Sequence, residues 1–250
     1  MTETFMLALQ IEGLAFILLA VFAAGVVYGF AGFGAALIFM PVASRFIPVE
    51  MAIGAFALGG LASAATVLPK TLPLVQRRPM AIMLGAAIVS VSLGILVLRH
   101  SDVVALRWAV IAVCTITLIA LVSGWRHATP PTSRNRALLG AATGFVGGTT
   151  GLTGPVLVLF QLSSRDSVER SRATLATFLT LLSILMIPLM AVQGALPGHA
   201  VALGLLLLPP YALGCWIGAR MFRPDREYLY RTVAYGLIGC AILLGLPIWH

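Results

Sequence analysis

Gly29-Phe30-Ala31-Gly32-Phe33-Gly34 interrupts an apolar run, residues 13–44, that is too long for one straight membrane span. Gly144-Phe145-Val146-Gly147-Gly148-Thr149-Thr150-Gly151 interrupts a second, residues 137–162. Glycine clusters are poor helix interiors and allow a chain to reverse or another backbone to come close. Each stretch therefore reads as a broken spanning helix or as a re-entrant hairpin of two half-helices. Around them lie six unbroken apolar runs, at 51–69, 80–98, 103–124, 173–192, 199–219 and 228–248. Each has about 20 residues, enough at 1.5 Å per residue to cross a hydrocarbon core of about 30 Å. Lipid offers unpaired backbone groups no partner, so all six are expected to be helices.

Composition agrees. Hydrophobic residues make up 60% of the 250, charged residues only 10%, and mean hydropathy is +1.03. A soluble domain carries about 25% charged residues, so the solvent is lipid. The net charge of +8 and pI near 10.3 would point to nucleic acid in a soluble protein. Here the cations, 15 of 16 of them Arg, sit singly or in short groups between apolar runs, as orientation signals do, and nucleic-acid binding is not expected. Cys114, Cys215 and Cys240 all fall in apolar runs with no CxxC or Cys/His spacing, which predicts packing residues and no metal site. No cofactor is expected. No Lys or Arg precedes the first apolar run, so the N-terminus reads as mature sequence without a cleavable signal.

The two halves echo each other. Gly29-Phe30-Ala31-Gly32 matches Gly144-Phe145-Val146-Gly147, and Pro41 matches Pro155 one residue out of step. Val49-Glu50 matches Val168-Glu169 at an offset of 119, which also brings Pro69 onto Pro188 and Gly85 onto Gly204. These points predict an internal duplication: repeat 1 over 1–124, a polar linker over 125–135, and repeat 2 over 136–250. If both glycine-broken stretches cross fully, the cations divide ten against six. If both are hairpins, Arg45, Arg99 and Arg107 share one face and the other thirteen share the opposite one. The sharper bias favours hairpins and places the linker in the cytoplasm with both termini outside. Three full spans per half then invert the second repeat relative to the first. The alternative is eight spans as a parallel 4+4 arrangement. The expected fold is thus an all-α polytopic membrane protein of two repeats, each a glycine-broken hairpin plus three helices.

Polar chemistry is sparse. His100, His127, His199 and His250 lie at segment ends or in loops, and no nucleophile motif or paired carboxylate falls inside a span, so no enzyme is expected. The glycine breaks remain. A half-helix starting at membrane depth presents free N–H groups and a positive dipole end, an anion site. The candidate binding residues are Gly32, Phe33 and Gly34 at the first break, and Gly147, Gly148, Thr149, Thr150, Gly151 and Thr153 at the second. Thr174 and Thr177, with Thr180, are spaced by three and form a candidate polar lining; hydroxyls bonded back to their own helix are the competing reading. Glu50 and Glu169, at matching repeat positions before a span, are candidate coupling groups. Arg170 and Arg172, near the foot of the second hairpin, read first as positive-inside markers; attraction of an anionic substrate from the cytoplasm is the competing reading.

GFAGFGAALIFMP at 29–41, echoed by GFVGGTTGLTGP at 144–155, together with Val-Glu before a small-residue span and Pro-Pro-Tyr-Ala-Leu-Gly at 209–214, resembles the sulfite exporter TauE/SafE family. The resemblance covers nearly the whole chain. It implies an inner-membrane permease for small sulfur-containing anions such as sulfite or organosulfonates. Its first repeat departs from the family's glycine-rich run, with Gly-Phe-Gly-Ala-Ala at 32–36. The competing function is a non-transporting membrane subunit or assembly factor.

Overall fold

The computed structural model describes residues 2–124, 132–161, 167–221 and 227–246; most of the expected linker, 125–131, lies outside them. Every regular element there is a helix. In chain order they are α1 (Thr2–Leu9), α2 (Leu14–Ala31), α3 (Ala35–Phe46), α4 (Val49–Gly59), α5 (Leu61–Thr66), α6 (Leu68–Thr71), a 3₁₀ turn (Leu72–Leu74), α7 (Arg77–His100) and α8 (Val103–Val122). The second half adds α9 (Ser133–Thr150), α10 (Pro155–Gln161), α11 (Val168–Val192), α12 (Gly198–Met221) and α13 (Glu227–Gly245). Among the described residues, six stretches are long and apolar enough to cross a membrane: α2, α4 with α5, α7, α8, α11 and α12. Five of these are expected runs. The sixth expected run is α13, whose apolar part, Thr232–Gly245, is shorter.

Both broken stretches are helix–turn–helix units. The first fulfils its expectation: α2 ends on Gly32 in the left-handed region (φ 79°), and Gly34 (φ 91°) opens α3. The chain then folds back, because the Phe46 ring stacks on Phe16 with centroids 5.9 Å apart and closes over Gly13. The second break falls on the last residue of its glycine cluster. Gly144, Gly147 and Gly148 are inside α9, and the turn comes at Gly151 (φ 76°), with Pro155 at the first position of α10. The reason is packing. A Cβ on Gly148 would lie 2.5 Å from the Val91 carbonyl oxygen and 3.1 Å from the Gly94 Cα; the neighbouring helix fills the space a side chain would occupy.

A second departure concerns the run 51–69, expected as one helix. It breaks at Gly60, whose carbonyl takes both the Ser63 N–H (2.9 Å) and the Ser63 hydroxyl (2.6 Å), and again at Val67.

Two close helix crossings hold the molecule together, and each joins one half to the other. Gly25 and Gly29 of α2 lie against Gly214 and Gly218 of α12, while Gly144 and Gly148 of α9 lie against Ala87, Ser90 and Gly94 of α7. Contacts advance in the same chain direction in both pairs, so each pair is parallel. Gly25-x3-Gly29, Gly214-x3-Gly218 and Gly140-x3-Gly144-x3-Gly148 are small-residue repeats of the kind that let membrane helices meet backbone to backbone. Residues with equivalent packing, Gly25 with Gly144 and Gly29 with Gly148, are 119 apart (144 − 25, 148 − 29). That register is one turn away from the match of Gly29-Phe30-Ala31-Gly32 with Gly144-Phe145-Val146-Gly147.

The remaining directions follow from single contacts. In α4, Gly54 faces Ala200 and Gly59 faces Leu207, so it runs with α12. Its antiparallel partner is α11: Gly60 meets Ser183, and Gly54 meets Met190. Arg99 at the end of α7 donates to the Gln193 carbonyl at the end of α11. Arg45 at the end of α3 donates to the Leu244 carbonyl of α13 (3.1 Å).

Candidate functional site

The two glycine breaks converge on one narrow cavity between α2, α3, α4–α5, α11 and α12. Gly34, Ala35, Ala36 and Leu37 line it from the first unit, Thr153 and Gly154 from the second, with Gly60 and Ser63 from α4–α5, Leu179 and Ser183 from α11, and the aromatic wall Tyr28, Phe56 and Tyr211. As it stands there is room for about one water molecule. No acidic or basic side chain is among these lining residues.

What the lining offers is a set of neutral donors. α3, with 12 residues, begins at Gly34 with no side-chain cap, so its first-turn N–H groups lie at the cavity. Thr153 is 8% exposed, and its methyl faces Gly147, where an added Cβ would collide with it. Among the described residues neither the Thr153 nor the Ser183 hydroxyl has a hydrogen-bond partner. Beside them runs a bonded chain: Tyr28 Oη donates to the Ala176 carbonyl (2.7 Å) and lies 2.8 Å from Thr180 Oγ1, which is 2.9 Å from Ser63 Oγ. Tyr28, Ser63 and Thr180 are all buried.

The expected residues divide accordingly. Gly34 and Thr153 line the cavity. Gly32 and Gly151 are its left-handed hinges, each donating its N–H to the carbonyl four residues back, Tyr28 and Gly147, at 2.8 Å. Phe33 is buried in the core at 5% exposure. Gly147 and Gly148 belong to the packed part of α9. The Thr149 and Thr150 hydroxyls turn back onto their own helix, to Phe145 O (2.9 Å) and Val146 O (2.7 Å). On α11, Thr177 bonds Thr71 (3.0 Å), away from the cavity lining, and Thr174 is half-buried. Glu50 and Glu169 each sit in the first turn of a helix, α4 and α11, whose antiparallel course puts them at opposite ends of the molecule.

Tyr28, Phe56, Gly60, Gly154 and Tyr211 were missed as site residues. A tyrosine inside a membrane run needs a partner for its hydroxyl, and that is the signal at Tyr28. Gly59-Gly60 is a third glycine break, legible as a dipeptide within 51–69.

The sequence model of the family described as "Sulfite exporter TauE/SafE" matches residues 17–244, nearly the whole chain. The chain belongs to the sulfite exporter TauE/SafE family. It is therefore a multi-pass membrane protein of a transporter family. No curated protein and no solved structure gives a significant match. Both glycine breaks, the cavity and the two crossings of this TauE/SafE member lie inside the matched residues.

Proposed function

We propose that this TauE/SafE member is a permease for a small sulfur oxyanion, sulfite or an organosulfonate, which binds where the two glycine breaks meet. The observation that carries the reading is the convergence of both breaks on one buried cavity furnished with donors and no carboxylate. The first turn of α3 supplies N–H groups and the positive end of a helix dipole. Thr153 and Ser183 supply hydroxyls that donate to an oxyanion. Such a site replaces an anion's hydration and repels nothing negative.

The cavity is too small for a sulfur oxyanion as it stands, so transport requires the halves to part. Reciprocal packing of α2 on α12 and of α9 on α7 supports two repeats, 1–124 and 136–250 with a linker over 125–135, related by inversion. Rocking of one repeat against the other then opens the cavity to each side in turn. The thirteen-to-three division of cations supports a cytoplasmic linker in an inner membrane, with both termini outside. Glu50 and Glu169, one at each end, are the acids at hand for proton coupling; if E50Q and E169Q leave the pH dependence of flux untouched, neither has that role.

The test is flux of radiolabelled sulfite, thiosulfate, taurine and sulfate in proteoliposomes. Saturable flux of one sulfur oxyanion, lost when Thr153 and Gly34 are replaced by Leu, is the expected result. No flux of any of them from folded protein would leave the non-transporting subunit as the better reading.

A further inference from the structure

One stripe of α11 straps the last turn of α2. Arg172, Ala176 and Thr180 lie four residues apart on a single helix face, opposite Tyr28, Gly29 and Phe30. Arg172 donates from Nε to the Phe30 carbonyl (2.8 Å) and from its terminal nitrogen to the Gly29 carbonyl. Tyr28 Oη meets Ala176 O and Thr180 Oγ1 one and two turns further along. Leu179 and Ser183 of the same helix line the cavity. Arg172 therefore stands between the cavity and the end of the molecule where α11 begins, closing the tip of the first hairpin.

The other break shows that packing does not require an arginine here. A Cβ on Gly32 would lie 2.8 Å from the Arg172 carbonyl oxygen and 2.9 Å from its Cγ; a Cβ on Gly151 would lie 2.9 Å from Ile53 Cγ1. Gly32 and Gly151 are 119 apart (151 − 32), and so are Ile53 and Arg172 (172 − 53). The same left-handed glycine turn closes on an isoleucine in one place and, in the other, on the backbone and Cγ of an arginine whose guanidinium reaches on to Gly29 and Phe30.

We infer that Arg172 is the anion-selecting residue of the path on the side where α11 begins, held against α2 in this closed conformation and released to the substrate when α11 parts from the hairpin tip. The exchange is chemically favourable: a charged oxyanion accepts from a guanidinium more strongly than the backbone carbonyls of Gly29 and Phe30 do. Ile53 offers nothing comparable on the opposite side, so the two access routes differ in anion affinity. This inference rests on the proposed anion transport.

Oriented proteoliposomes carrying wild type, R172Q or R172K would be assayed for initial sulfite flux from each face, with melting temperature as the folding control. R172Q should raise the KM about tenfold from the face where α11 begins. The KM from the other face should stay within a factor of about two, and R172K, which keeps the charge and so a charge-assisted bond to the anion, should recover most of the affinity. Equal KM changes from both faces, or an R172K as impaired as R172Q, would mean that Arg172 merely caps α2, and would overturn the inference. Should R172Q fail to fold, R172K alone decides: a near-normal KM supports selection by charge, and a tenfold rise refutes it. A folded wild type that moves no sulfur anion would sink the transport reading and this inference together, whereas wild-type flux with an unchanged R172Q KM would sink only this one.

Discussion

At the scale of single residues, the threonines around the second break separate into two chemical groups that look alike in the sequence. Thr149 and Thr150 spend their hydroxyls on carbonyls of their own helix, the usual fate of a threonine in a membrane helix. Thr153 falls beyond the end of α9, where no carbonyl four residues back is in reach, and its hydroxyl stays free at the cavity. Thr153→Val is expected to weaken sulfite binding by about 1 kcal/mol, roughly fivefold, without lowering the melting temperature. Thr150→Val should leave affinity unchanged. Titration of sulfite by isothermal calorimetry in detergent distinguishes the two; equal losses in both variants would remove Thr153 from the site. The glycines divide in the same way. A Cβ on Gly218 would fall 3.0 Å from the Gly29 Cα and closer still to the Val26 backbone, whereas one on Gly236 meets nothing within 4 Å. Gly218→Ala should therefore cost roughly 1–3 kcal/mol through overpacking, and Gly236→Ala should stabilise by up to about 1 kcal/mol through helix propensity. Thermal unfolding of the two variants in detergent reads the contrast.

Elements show why glycine-rich segments were only partly legible. The stretch 29–34 and the stretch 144–151 have similar composition, yet the first contains a turn and most of the second is helix. A glycine is tolerated inside a helix when a neighbouring backbone takes the place of its missing side chain, and that neighbour, α7, is far away in sequence. Within these two stretches only Gly32, Gly34 and Gly151, where the φ values are positive, mark true turns. The Tyr28–Thr180–Ser63 chain belongs to this scale because it joins α2, α11 and α5. Tyr28→Phe removes the donor to Ala176 and should cost about 1 kcal/mol of stability. With the strap weakened, a cysteine placed at Ser183 should react faster with a water-soluble maleimide than the same cysteine does beside Tyr28; an unchanged labelling rate would mean that the strap does not control access.

For the whole molecule, the consequence of a donor-lined cavity is linkage between anion and fold. Sulfite or an organosulfonate that binds only the folded state should raise the melting temperature in proportion to the logarithm of its concentration above its Kd. A panel of sulfite, thiosulfate, sulfate, sulfoacetate, taurine and chloride would rank the ligands, and a flat response across it would count against the anion site. The membrane class, the helical fold and the boundaries of most spans were determined by the sequence alone, because the length and apolarity of a run decide whether it can live in lipid, and both are local properties. The family was legible for a similar reason, since its glycine and proline motifs are contiguous. Which glycines turn and which pack, which hydroxyls are free, and which face of α11 straps the first hairpin were decided only by the tertiary structure. Each of those depends on what stands opposite a residue, and in this bundle the residue opposite lies in the other half of the chain.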